Sequence, residues 1–277
     1  MTLSSKLAEL HPRRFFGEAF ALADARRDEA LKNGGYSAWK PFAVAAMGAV
    51  ILLALQKYGT TGYFLEHVVM PRAEVDPSWA EIRESAYLRE LYGKVWWTTW
   101  RVAGYLLLPA LFTKLVLKER VRDHGLGFGH VRDHLWIYLV AIAIVLPMVF
   151  GVSYLDSFQR KYPMYDFAGR SWSDFFLWTA MYSAQFLALE FFFRGHWLRA
   201  FSPVMGGHAI TAMIIPYAMI HMNKPFGEAI GSIAAGLALG ALAIRSRCVY
   251  PGFLVHASIG FAMDLAALWQ KGQWPGG

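Results

Sequence analysis

The sequence predicts an all-α fold, a polytopic membrane bundle of about seven transmembrane helices, and two observations carry that prediction. Of the 277 residues, 56% are hydrophobic and only 17% are charged, where a soluble domain carries about 25% charge. The apolar residues also gather into runs of roughly 20, the length a helix needs to cross the hydrocarbon core of a bilayer. The candidate spans are 39–57, 95–116, 134–154, 174–198, 205–222, 226–244 and 249–269. Pro109, Pro147 and Pro216 punctuate them, which a bundle tolerates when neighbouring helices satisfy the freed backbone groups.

Residues 1–38 are polar and mixed in sign, as in Arg26-Arg27-Asp28-Glu29, and have no apolar stretch behind a basic start. They read as an amphipathic helix on the membrane surface and not as a cleavable leader. Residues 39–133 form the N-terminal membrane helices, with the acid-rich stretch 58–94 outside the bilayer. Residues 134–277 form the C-terminal membrane domain, with 155–173 outside the bilayer. In span 226–244, Gly227/Gly231 and Gly236/Gly240 each make a GxxxG pattern, which lets helix backbones approach closely. The ring of Pro225 would clash with the His221 carbonyl in a continuous helix. The chain is therefore expected to break at 222–225 and restart with Pro225 in the first turn.

The formal charge of +7 could suit nucleic acid, but Lys and Arg lie mostly between apolar segments, where a membrane protein carries its orientation signal. No nucleic-acid partner is expected; the partner surface is the lipid bilayer. Basic residues are more numerous in the tail, 114–132, 194–199 and 245–247 than in the alternating segments. That bias places the N-terminus in the cytoplasm of a protein integral to the cell inner membrane. Seven spans would put the C-terminus on the other side. Cys248 is the single cysteine, so no intrachain disulfide forms.

Ionisable groups at bilayer depth are expensive and usually line a cavity or a site. Here they concentrate in the C-terminal half: Glu190, Arg194, His196, His221, Glu228, His256 and Asp264. Glu190 and Arg194 are four residues apart and share a helix face, so they can pair; Tyr217 and His221 share a face in the same way. Glu228 falls just after Pro225, where a helix N-terminus favours a carboxylate. At 1.5 Å per residue, Glu190 and His256 lie about 12–15 Å from the inner helix ends and His221 about 24 Å in. Tilt or the break at Pro225 must close that gap. Brought together, one acid and two histidines supply a general base and oxyanion donors, or three ligands for a divalent metal.

In order and spacing, three short motifs resemble those of the CAAX-protease and bacteriocin-processing (CPBP, or ABI) family of intramembrane proteases. That family carries EExxxR, FxxxH and HxxxN/D on successive helices. The corresponding residues here are Leu189-Glu190 through Arg194, Tyr217 through His221, and His256 through Gly260, and the likeness covers roughly 135–269. It implies a glutamate endopeptidase acting on a membrane-associated peptide or protein, without cofactor or metal, and the sequence also lacks HExxH. Glu190, His221, His256 and Glu228 are the catalytic candidates, with Arg194, Asp264 and Tyr217 in support. Glu190 would be the base, His221 its partner, Arg194 its positioning group and His256 the oxyanion donor. The chain departs from the pattern twice: Leu189 replaces the first glutamate, and Gly260 the Asn or Asp. Glu228 is a substitute for the first, Asp264 for the second. The two departures together leave an alternative, a catalytically silent membrane scaffold or immunity-type binding protein.

Overall fold

A computed structural model describes residues 8–34 and 37–276. It is all-helical, with no strand among those residues. The main helices are α1 (Pro12–Lys32), α2 (Trp39–Lys57), α3 (Ala86–Val102, running on through Leu115), α4 (Val131–Val152), α5 (Trp172–Met205), α6 (His208–Met219), α7 (Phe226–Ser246) and α8 (Tyr250–Lys271).

Five of them, α2, α4, α5, α7 and α8, are long and apolar enough to cross a membrane, and on them the chain is an integral membrane protein. They correspond to five of the seven expected spans. The other two differ. The 95–116 span lies within α3, which carries Arg89, Glu90, Lys94, Arg101 and Lys114. The 205–222 span shrinks to α6, whose twelve residues reach about 18 Å, short of a core about 30 Å thick. Large apolar side chains such as Phe42, Leu53 and Met148 stand exposed on α2 and α4, as lipid-facing helices require.

The chain divides into two compact units. The first holds the described residues of 1–47, 109–142 and 190–255. In it, Phe15, Ala19 and Ala23 of α1 recur every four residues and are buried, and this stripe packs on the last turns of α5 and on α7. Arg245 reaches Glu18 of α1 at 3.0 Å, and Asp24 accepts from the Gly207 amide at 3.1 Å. Helix α6 lies along α7. Only one of the expected glycine pairs serves that contact: a methyl at Gly240 would stand 2.9 Å from Ile210, and one at Gly236 3.1 Å from the Tyr217 ring. Gly227 and Gly231 meet nothing within 4 Å.

The second unit holds 48–108, 143–189 and the described part of 256–277. Its core is aromatic. Tyr165, Phe175, Trp178 and Tyr182 pack with Leu268, beside a smaller cluster of Val149, Phe158, Tyr162 and Met263. Ser85 caps α3 by accepting from the Leu88 amide, and Ser171 accepts from the Asp174 amide at the start of α5. Each cap satisfies one of the backbone donors that a helix start leaves open.

Candidate functional site

Glu190 is the last residue of α5 before a π-helical turn, Phe191–Trp197, in which every residue is buried. Such turns insert one residue into a helix and occur often at functional sites. The pairing that the i,i+4 spacing predicts is present: Glu190 Oε1 lies 3.2 Å from an Arg194 guanidinium nitrogen, with both side chains at 1% exposure or less. Opposite charges that meet within one turn cancel, which is how an ionisable residue survives at bilayer depth. The Arg194 guanidinium also lies over the Tyr217 ring, 4.0 Å from its centroid, a cation–π contact strengthened by the absence of water. Phe193 meets the same ring edge-on at 5.3 Å. The first unit thus stacks Glu190, Arg194 and Tyr217, residues of the first two motifs.

His221 lies one turn beyond Tyr217, after α6 has ended. Its Nδ1 is 2.8 Å from the Tyr217 carbonyl. A carbonyl only accepts, so Nδ1 carries the hydrogen, and in the neutral form of the ring Nε2 is then the acceptor. The break expected at 222–225 falls at 220–225, with Pro225 as the residue that caps α7 and not within its first turn. Depths counted along a full-length span at 205–222 therefore do not apply to His221. Glu228 sits in the first turn of α7 and pairs with Lys224 at 3.2 Å, as a carboxylate at a helix N-terminus should.

His256 and Asp264 belong to the second unit. The His256 ring stacks on Phe186, with centroids 5.5 Å apart and planes 14° apart. Phe186 also occupies the space beside Gly260, where an added Cβ would lie 2.7 Å from its ring. The place that Asn or Asp takes in the family motif is thus taken by an aromatic edge. Asp264 is 2% exposed, and its two oxygens accept from the Trp178 indole at 2.7 Å and the Met164 amide at 3.1 Å. It ties segment 162–165 to α8. Leu189 is buried.

Two contributors went unseen in the sequence. Gly252 leaves room for Glu190: a methyl at that position would collide with Oε2. Gly195 likewise admits the His124 carbonyl against the π turn. His124 stacks on His196 at 5.5 Å, and His196 Nδ1 meets the Thr113 hydroxyl at 2.9 Å. Glu119 accepts from His124 Nε2 at 2.8 Å and from Lys40 at 2.6 Å. The His124 hydrogen bond, then Lys40, hold the Glu119 carboxyl down at about 2 against the opposing effect of burial. Apart from the Glu119–His124 bond, five residues apart, each of these contacts joins residues far apart in the chain and leaves no local pattern. Among the described residues, no group of three or more His, Cys, Asp or Glu side chains is placed to hold a metal ion.

Residues 171–262 match the family model of the Rce1-like type II CAAX prenyl endopeptidases, in agreement with the CPBP resemblance carried by the three motifs. The matched segment is narrower than the likeness seen in the sequence. It runs from the cap of α5 into α8, contains Glu190, Arg194, Tyr217, His221, Glu228 and His256, and ends two residues before Asp264. No curated protein and no solved structure matches the chain.

Proposed function

We propose that this chain is an intramembrane endopeptidase of the glutamate type that cleaves a membrane-associated peptide or protein. Glu190 takes a proton from water, with His221 as its partner. The resulting hydroxide attacks the scissile carbonyl, and the proton passes to the departing amine. Arg194 and Tyr217 position Glu190. His256 keeps the role that the third motif gives it, donor to the oxyanion, and that role rests on the motif. Glu228, already paired with Lys224, is the reserve base. Asp264 supports the fold of its own unit and takes no proton. No metal or cofactor enters this reading. The protein sits in the inner membrane with its N-terminus in the cytoplasm, as the distribution of Lys and Arg suggests.

One observation carries the proposal. The buried Glu190 carboxylate is held on one side by Arg194 and on the other by the side-chain-free Gly252, inside the segment that matches an endopeptidase family. A preorganised carboxylate of this kind is what general-base catalysis needs. The second reading, a silent scaffold or immunity-type binding protein, also has specific support. Glu190 is 1% exposed, and both motif departures are packed over, Leu189 by burial and Gly260 by Phe186.

A comparison of membrane-protein termini in three strains separates the two: wild type, deleted, and deleted but carrying His221→Ala. Proteolysis predicts a terminus present in wild type, lost on deletion and not restored by His221→Ala. Restoration by His221→Ala, or identical termini in all three strains, would rule out the endopeptidase.

A further inference from the structure

The first unit contains a cavity of about 590 Å³, and its charges are unevenly matched. Arg26 of α1, Arg199 of α5 and Arg247, the residue after α7, all line it. Some other arginines of this unit have carboxylate partners, as Arg27 has in Asp24 and Asp28 and Arg245 in Glu18. Among the described residues, Arg26, Arg199 and Arg247 have none within ion-pair distance. Two of the cavity's acids are already engaged, Glu119 by Lys40 and His124, and Asp123 by Arg120. That leaves Glu29 against three guanidinium groups.

The fold brings these like charges together at some cost. Arg26 is half-buried, and its pKa is lowered first by burial and then by the Arg247 and Arg199 charges. Among the described residues, Arg247 is one of two non-glycine residues with a left-handed backbone, at φ 54°, a conformation that residues other than Gly, Asn and Asp adopt seldom. A helix C-terminus favours a cation, which would account for Arg247 alone. Arg26 lies within α1 and has no such reason.

The cavity also has a definite level. Helix α2 begins at Trp39, beside the lining residues Lys40 and Pro41. Helix α5 ends at Met205, just past Val204, and α7 ends at Ser246, just before Arg247. Three candidate spans thus start or stop at its wall, which places these ends on one face of the membrane provided α3 and α6 also cross, and span ends lie at the level of lipid headgroups. Leu198, Val204 and Ile244 add apolar surface to the same wall.

We propose that Arg26, Arg199 and Arg247 together hold a phosphate group in this cavity, carried by the headgroup of an anionic lipid. Guanidinium groups match phosphate oxygens in fork geometry, and the volume falls in the range of small-ligand sites. Arg194 and Gly195 of the π turn also line this cavity, but the assignment does not depend on the endopeptidase reading.

Native mass spectrometry of the purified full chain in detergent tests the assignment by titration with dioleoyl phosphatidylglycerol, dioleoyl phosphatidylcholine and inorganic phosphate. The wild type should bind phosphatidylglycerol in preference to phosphatidylcholine. Arg26→Gln, Arg199→Gln and Arg247→Gln should each weaken that binding about fivefold, the equivalent of one basic residue at an anionic surface. Arg14→Gln, an exposed partner of Glu18 on α1, should leave it unchanged. Arg199 and Arg247 are exposed, so their variants keep the test open should Arg26→Gln fail to fold. Inorganic phosphate that binds with the same dependence on the three arginines would overturn the lipid source and assign the site to free phosphate. Equal binding by wild type and all three variants, or an equal loss in Arg14→Gln, would overturn the site.

Discussion

Glu190 Oε2 rests against the backbone of Gly252, so a single methyl group there acts on the carboxylate directly. Gly252→Ala should destabilise the chain by about 1–3 kcal/mol, the usual cost of overpacking a filled site, and should also slow cleavage. Glu190→Asp in the same chain withdraws the carboxylate by one methylene and should restore much of the lost stability. Thermal unfolding of the two single variants and the double variant measures the coupling. Additive effects would mean that the carboxylate does not occupy that place. Glu190 and Arg194 were legible in the sequence because helical spacing alone brings them together. Tyr217 beneath Arg194 was legible only as a motif position. Gly252 was not legible at all, because the reason for a glycine lies on another helix, sixty-two positions away in the sequence.

Helix α8 shows the same division at the scale of an element. Its length and apolar character are written locally, and the hydrophobic run predicted it with small errors at its ends. What it packs against is not. Phe186 of α5 stacks on His256 and fills the space beside Gly260, so a hydrophobic ring stands where the family motif has an amide or acid. Restoring the motif by Gly260→Asn should therefore lower the unfolding temperature. Phe186→Leu, which clears the ring edge, should recover part of the loss when the two are combined. If Gly260→Asn is neutral by itself, Phe186 does not guard that position. Helix α6 illustrates the opposite error. Apolar residues continue through Ile220 and Met222, so hydropathy extends the span to 222. The backbone instead turns from Ile220 onward, and the Tyr217 carbonyl accepts from His221 Nδ1. The stop imposed by Pro225 was visible, whereas the tightening to i→i−3 hydrogen bonds at His221, Met222 and Lys224 leaves no mark in residue type.

For the whole molecule, the count of spans decides sidedness. Seven spans, or the five helices that meet the length and apolarity required, are both odd and place the two termini on opposite sides of the membrane. Reporter fusions at both ends should therefore give opposite signals. Matching signals would mean that one of α3 and α6 crosses and the other does not. The membrane class was plain from composition, because so few charges cannot cover a water-facing surface. The number of crossings was not, since α3 is apolar in its middle but carries charges along its length, and α6 is too short to cross as a straight helix. The measurement that tests the central claim most directly is cleavage of an identified substrate by Glu190→Gln, with Glu228→Gln beside it. Gln leaves Arg194 without its counter-charge, so rates are taken per folded molecule. Turnover should fall about 10²–10⁴-fold in Glu190→Gln, the usual worth of a general base, and stay near wild type in Glu228→Gln. A large loss confined to Glu228→Gln would move the base to Glu228, and undiminished cleavage by both variants would contradict the mechanism.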